Sequence, residues 1–292
     1  MTDTARRASE ENLNLRLAIA GPRDELTELA DTFDDMLARL DAAFAIQRRF
    51  VANASHELRT PLTEMRTLID VTMAKQQRTP EQSDIVLSQV RTAVRKSDTL
   101  IEALLTLARS DRGLAEVEVV DLPTAAEDAI DLVSRDAAER GVSIETELGN
   151  ARTAGDRVLL DRLVTNLADN AVRHNEPGGW VRVRTASQNG SCLISVANGG
   201  AVIPAESLSE LTEPFRRLAG RVGNVGQADT DNGCGLGLSI VASVVSAHGG
   251  SLELHAPATG GLAVDVLLPA AHDSADPVVL SANRPAAGAV PA

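Results

Sequence analysis

From residue 23 to residue 60 the chain contains neither glycine nor proline. Through that stretch apolar residues return at intervals of three and four: Leu26, Leu29, Phe33, Met36, Leu40 and Ala43, with Phe50 after the polar Gln47. Such a run reads as a long helix, and an apolar seam on this period marks one that pairs with a copy of itself or with a neighbour. Gly21-Pro22 breaks the chain ahead of it, and Asp24 is placed to cap the helix at its start. The seam continues as Val51, Ala54, Leu58, Leu62, Met65 and Ile69. A polar break, Gln76-Gln77-Arg78-Thr79-Pro80, leads into a second helix predicted over about 81–110, with Val86, Val90, Ala93, Leu100, Leu104 and Leu107 on one side. Two helices joined by a short polar loop make an antiparallel hairpin. Two hairpins from two subunits close a four-helix bundle.

After Asp111-Arg112-Gly113 the texture changes. Strand-like runs at Glu116–Leu122, Val142–Glu147, Trp180–Ala186 and Leu193–Ala197 alternate with helical stretches near 123–140, 156–174 and 236–248. Leu252–His255 and Leu262–Leu268 flank a Gly260-Gly261 turn and read as a hairpin. The fold class expected is therefore a long helical hairpin in a dimeric four-helix bundle, followed by an α/β sandwich with a mixed sheet. The tail after Pro269, rich in Ala, Pro, Asp and Ser, is expected to be disordered.

A formal net charge of −13 argues against a nucleic-acid partner or an anionic membrane surface, because both need clustered Lys and Arg. Cys192 and Cys234 have no CxxC spacing and no zinc pattern, which fits a reduced, cytoplasmic compartment. No apolar run approaches the ~20 residues of a membrane-spanning helix, and the N-terminus has no signal-peptide character.

Within Phe50–Leu62, His56 is two residues from both Ala54 and Leu58. At about 100° per residue it faces away from the seam, into water. An imidazole in water is largely neutral at cellular pH and so carries a nucleophilic lone pair. Thr60 shares its face four residues on, and Pro61 predicts a bend beside it. A zinc-protease reading fails, because His56-Glu57-Leu58-Arg59-Thr60 lacks the second histidine.

Ser55-His56-Glu57-Leu58-Arg59-Thr60-Pro61-Leu62 resembles the phosphoacceptor motif of histidine kinases, and the match runs across the hairpin from about 44 to 110. The resemblance implies that His56 is phosphorylated. It makes Glu57 the acid that assists proton removal from the ring, and Thr60 the residue that positions water to dephosphorylate the partner. Arg59 is placed to steer phosphate, or is a solvated surface group.

Asn166, Asn170 and Arg173 fall on one helix face. Amide oxygens there suit Mg²⁺, which prefers oxygen ligands and keeps several waters. Arg173 and His174 are placed to reach phosphate. Downstream, Gly233, Gly235 and Gly237 alternate ahead of Leu238-Ser239-Ile240-Val241, and backbone N–H groups at such a helix start can hold polyphosphate. Arg216 to Asn232 reads as a mobile lid.

These pieces resemble the ATP-binding domain shared by histidine kinases, gyrase, Hsp90 and mismatch-repair ATPases. The resemblance makes Asn166 and Asn170 its asparagine box, with Asn170 the Mg²⁺ ligand. Phe215 belongs to a phenylalanine box beside the lid, with Arg217 near phosphate. Gly233, Gly235, Gly237 and Leu238 form a glycine box. One box departs. Asn198 and Val202, around Gly200, stand where relatives carry aspartate and a second glycine. A neutral amide accepts the adenine bond without charge, so weaker ATP binding is expected.

The hairpin has a nucleophile and no phosphate source, whereas the α/β domain has ATP and no acceptor. Gly113 in the short 111–115 linker lets one swing onto the other. Residues 21–40 resemble the second helix of a HAMP relay module, which in relatives follows a membrane helix. The expected division is a HAMP-like remnant and coiled coil at 1–43, a phosphotransfer hairpin at 44–112, an ATP-binding domain at 113–270 and a tail at 271–292. The resemblance implies an ATP- and Mg²⁺-dependent homodimer. It autophosphorylates His56, passes the phosphoryl group to an aspartate of a response regulator receiver domain, and dephosphorylates that partner. A phosphatase-dominant member and a silent dimeric scaffold are the alternatives.

Overall fold

The computed structural model describes residues 25–74, 79–216 and 234–271. The stretch before residue 25, the lid with Arg217 and Gly233, and the tail beyond residue 271 lie outside the described residues.

Helix α1 runs from Glu25 to Ala74 and continues through Pro61. Helix α2, Pro80–Ser110, starts where the polar break ends: Thr79 caps it by accepting from the Gln82 N–H, and Pro80 opens its first turn. The two pack antiparallel along a narrow seam. Ala54 and Pro61 on α1 and Ala93, Leu100 and Leu107 on α2 are buried, while Leu58, Met65, Val86 and Val90 are half-buried. Val51, Leu62 and Ile69 belong to the predicted seam, yet they remain exposed. One hairpin can bury only one side of each helix.

The second unit is a five-stranded mixed sheet covered on one face by helices. In chain order it contains β1 (Glu118–Asp121), α3 (Leu122–Arg140), β2 (Ser143–Leu148), β3 (Arg152–Gly155) and α4 (Arg157–Arg173). Next come β4 (Trp180–Gln188), β5 (Ser191–Asn198), α5 (Gly237–Ala247), β6 (Ser251–His255) and β7 (Leu262–Pro269). The sheet order is β2-β4-β5-β7-β6, with β2 parallel to β4 and the other pairs antiparallel. Helix α3 begins with Pro123 in its first turn and ends on Gly141 in the left-handed conformation, φ 68°. Alternate residues of β4, β5 and β7 (Val181, Val183, Ile194, Val196, Val264, Val266) join Leu159, Leu160, Leu163 and Leu167 of α4 and Val241, Val244 and Val245 of α5 in one core. Each such side chain, once buried, contributes about 1.5–3 kcal/mol.

The sequence reading missed β3, which pairs antiparallel with β1. His248, at the end of α5, is buried. Its Nε2 accepts from the Asp156 backbone N–H (3.1 Å), and its Nδ1 is left to donate to the Val244 carbonyl (2.8 Å). Asp156 in turn caps α4 and faces Arg109 of α2 at 3.7 Å. Beside that pair the Ser110 and Ser243 hydroxyls are 2.6 Å apart, and Arg162 of α4 donates to Glu102 of α2. The Phe50 and Phe215 rings lie 5.7 Å apart, so the α/β unit rests against both helices of the hairpin.

Candidate active site

His56 is exposed on α1, as its angular position predicts. It borders a groove of about 710 Å³ between the helices, lined from α1 by Arg59, Thr60 and Glu64 and from α2 by Ser88, Thr92 and Lys96, among others. The Thr60 hydroxyl donates to the His56 carbonyl at 3.2 Å, which leaves its oxygen lone pairs directed outward. Glu57 is exposed but does not line the groove, in keeping with its place one position round the helix. The groove itself was not foreseen. Its lining residues, mostly polar or charged, come from two helices, and no local spacing singles them out.

The second site lies at the start of α5 against α4. The Asn166 amide nitrogen donates to the Arg162 carbonyl at 2.7 Å. A Cβ added at Gly237 would sit 3.7 Å from Asn166 Oδ1, so the glycine run faces the asparagine side chain. Asn170 follows one turn along, half-buried. Leu238 is buried in the first turn of α5, and Leu236 before it supplies no side-chain cap. The first N–H groups of the helix therefore lack a side-chain acceptor from their own cap.

Phe215 adopts φ 65°, rare for a side chain of its size. Its N–H donates to the Gly235 carbonyl at 2.9 Å. Gly235, at φ 67°, has no room for a side chain, since a Cβ would lie 2.8 Å from the Arg216 carbonyl. Phe215 also reaches beyond this strap to Phe50 on α1, a contact the sequence did not reveal. Arg173 pairs with Asp169 at 3.1 Å rather than standing free, an i,i+4 partnership its helix spacing permits. His174 caps the end of α4 and is exposed.

Asn198 is buried at the end of β5, with its amide nitrogen donating to the Gly199 carbonyl at 2.7 Å. That orientation reserves the amide oxygen as an acceptor. A Cβ on Gly200 would crowd the His174 carbonyl at 2.9 Å. The Gly260-Gly261 turn packs on this loop: Gly261 donates to the Ala201 carbonyl at 3.0 Å, and a side chain there would overlap the Asn198 carbonyl. Val202 is exposed, away from that close approach.

Three family models match. The "Histidine kinase-, DNA gyrase B-, and HSP90-like ATPase" model covers residues 155–272, the "His Kinase A (phospho-acceptor) domain" covers 46–113, and the "HAMP domain" covers 1–42. Sensor protein CutS of Streptomyces coelicolor is 46% identical over 270 residues, 92% of this chain and 64% of that protein. The signal transduction histidine-protein kinase/phosphatase MprB of Mycobacterium tuberculosis is 33% identical over 279 residues, 92% of this chain and 53% of that one. Histidine kinase ThkA, solved with response regulator protein TrrA, shares the fold at a TM-score of 0.60 and 20% identity over 85% of this chain and 68% of that one. The histidine kinase AdeS of Acinetobacter baumannii does so at 0.57 and 19%, over 74% and 98%. The chain belongs to the two-component sensor histidine kinases. It spans 64% of CutS and 53% of MprB. Among the described residues no helix is long and apolar enough to cross a membrane.

Proposed function

We propose that this chain is an ATP-dependent protein-histidine kinase that phosphorylates its own His56 and passes the phosphoryl group to an aspartate of a response regulator receiver domain. The observation that carries this is the pairing, in one chain, of an exposed imidazole beside an open groove with the Asn166 side chain facing Gly237 at the uncapped start of α5.

A ring nitrogen of His56 attacks the γ-phosphorus, the bond to the bridging oxygen breaks, and ADP leaves with that electron pair. Glu57 takes the proton from the other ring nitrogen. The uncapped start of α5 receives phosphate oxygens, and Asn198 accepts from the adenine amino group. Arg173, held by Asp169, and His174 border the phosphates, while the phosphate roles of Arg217 and Gly233 rest on the motif resemblance. An amide oxygen on Asn170 fits Mg²⁺ held mainly by phosphate and water. That ion would neutralise charge on the transferring group. Thr60, its lone pairs outward, positions water for phosphatase action on the same partner.

The exposed apolar residues of α1 and α2 support a homodimeric bundle. ATP use and two free cysteines support a cytoplasmic setting, with input from a membrane-anchored parent or from a partner. We place the functional divisions at 43/44, 112/113 and 270/271.

The test is labelling with γ-³²P-ATP. Acid-labile label is expected on the wild type, with a drop of at least ~100-fold in His56→Ala. Label that persists in that variant overturns the assignment. A phosphatase-dominant balance is the second reading, favoured by the neutral Asn198. It predicts faster loss of phosphate from a phosphorylated regulator than gain on His56.

A further inference from the structure

The groove beside His56 contains a cation that no step of the proposed reaction employs. The chain has 28 basic residues, of which only Lys75 and Lys96 are lysines. Lys96 lines the groove from α2 and is half-buried. Several arginines elsewhere face carboxylates, among them Arg135 with Glu139, Arg157 with Glu118, Arg182 with Glu145 and Arg184 with Glu147. Among the described residues Lys96 forms no ion pair. A cation that lines a groove with no carboxylate of its own within ion-pair distance is available to a visiting anion.

Its position says which anion. Counted back from Ala74 and Pro80, which flank the turn, Lys96 is level with Leu58, two residues or roughly 3 Å along the axis from His56. The helices pack at about 8–10 Å, a gap that a four-carbon stem crosses. Arg59 is the other groove cation, and it is exposed on the same helix as His56. Glu64 is the carboxylate of this lining, about 12 Å further along α1. Lys96 and Arg59 thus put two cations on the groove side of His56, while Glu57 stands outside the groove, in a chain of net charge −13.

We propose that Lys96 is a positioning residue for the phosphoryl group at His56, its ammonium reaching across the groove to neutralise that group as it arrives and as it leaves. The proposal rests on the phosphoacceptor reading of His56. In the departing step an acceptor carboxylate oxygen forms the new bond to phosphorus while the N–P bond breaks. That electron pair stays on the ring nitrogen, and the imidazole regains one proton and ends neutral. Lys96 keeps its three protons throughout. A compact ammonium with rotatable donors can follow the phosphoryl oxygens between the two partners.

The test uses phosphoramidate, a small anionic donor that phosphorylates histidine without ATP, on the full chain. Phosphorylation at His56 is followed by peptide mass spectrometry in wild type, Lys96→Ala, Lys96→Gln and Lys96→Arg. Diethyl pyrocarbonate, which is uncharged, serves as the matched reagent for the ring. The rate with phosphoramidate is expected to fall about fivefold in the Ala and Gln variants and to recover in Arg, while the pyrocarbonate rate stays level. The wild-type advantage should shrink as salt rises. Equal phosphoramidate rates in wild type and Lys96→Gln, or equal losses with both reagents, overturn the proposal. If ATP fails to label His56 while phosphoramidate succeeds, the kinase reading falls and this comparison still decides Lys96. If neither reagent labels His56, both fall.

Discussion

The two halves of the molecule meet water differently. In the α/β unit, α4 turns Leu159, Leu160, Leu163 and Leu167 into a core closed by the sheet and α5. Its exposed large apolar side chains, such as Leu132 and Val158, stand singly, which is ordinary for a folded domain. In the hairpin, Leu87, Val94, Ile101 and Leu105 are all exposed on α2, and Leu62, Ile69 and Met73 on α1. Their spacings of seven and four make two continuous stripes. One unit has finished its own core, whereas the other has half of one. The proposed dimer would leave intrinsic stability with the α/β unit and make the hairpin depend on association.

The strongest way to break this contrast is to charge the stripes. Leu62→Asp together with Ile101→Asp should convert a micromolar dimer to monomer in sedimentation velocity, and the helical signal should become concentration-dependent. If the double variant keeps the wild-type sedimentation coefficient, the stripes are not an interface. A smaller effect is expected within the finished core. Gly235→Ala forces a methyl group toward the Arg216 carbonyl at positive φ, a strain of about 1–3 kcal/mol. ATP affinity measured by calorimetry should fall about tenfold or more, while the dimer persists.

The smallest effect concerns Asp161 on α4, whose carboxyl is pushed above the usual range mainly by burial. Arg157 opposes that shift, and Asp128 and Glu118 add to it. A raised carboxyl favours the folded state only once protonated, so its ionised form weakens the fold at neutral pH. Asp161→Asn should raise the melting temperature by ~1–2 °C at pH 7. The gap should close as pH falls through the carboxylate range. A gap that widens in acid would reverse the assignment.

The contrast also explains what the sequence disclosed. Helix α4 was predicted over about 156–174 and spans Arg157–Arg173, because its apolar face and its Asp156 cap are local signals. The exposure of His56 followed from angle alone. Strand β3 escaped notice because Arg152–Gly155 offers four residues with one β-branched side chain, and its partner lies more than thirty positions away in β1. The seating of Gly260-Gly261 on the Asn198 loop, the Phe50–Phe215 contact and the groove depend on packing between distant segments. The Asp169–Arg173 pair was legible in its spacing, but the motif drew attention to phosphate instead.

Asp156 caps the start of α4, and it is gripped from two sides. Arg109 holds its carboxylate from the foot of the hairpin, and His248 holds its N–H from the far end of α5. Helices α4 and α5 thus share a single anchor bolted to the hairpin's base. A twist of α2 would tilt the start of α4 and the end of α5 together, as a torque rather than as a displacement of either alone.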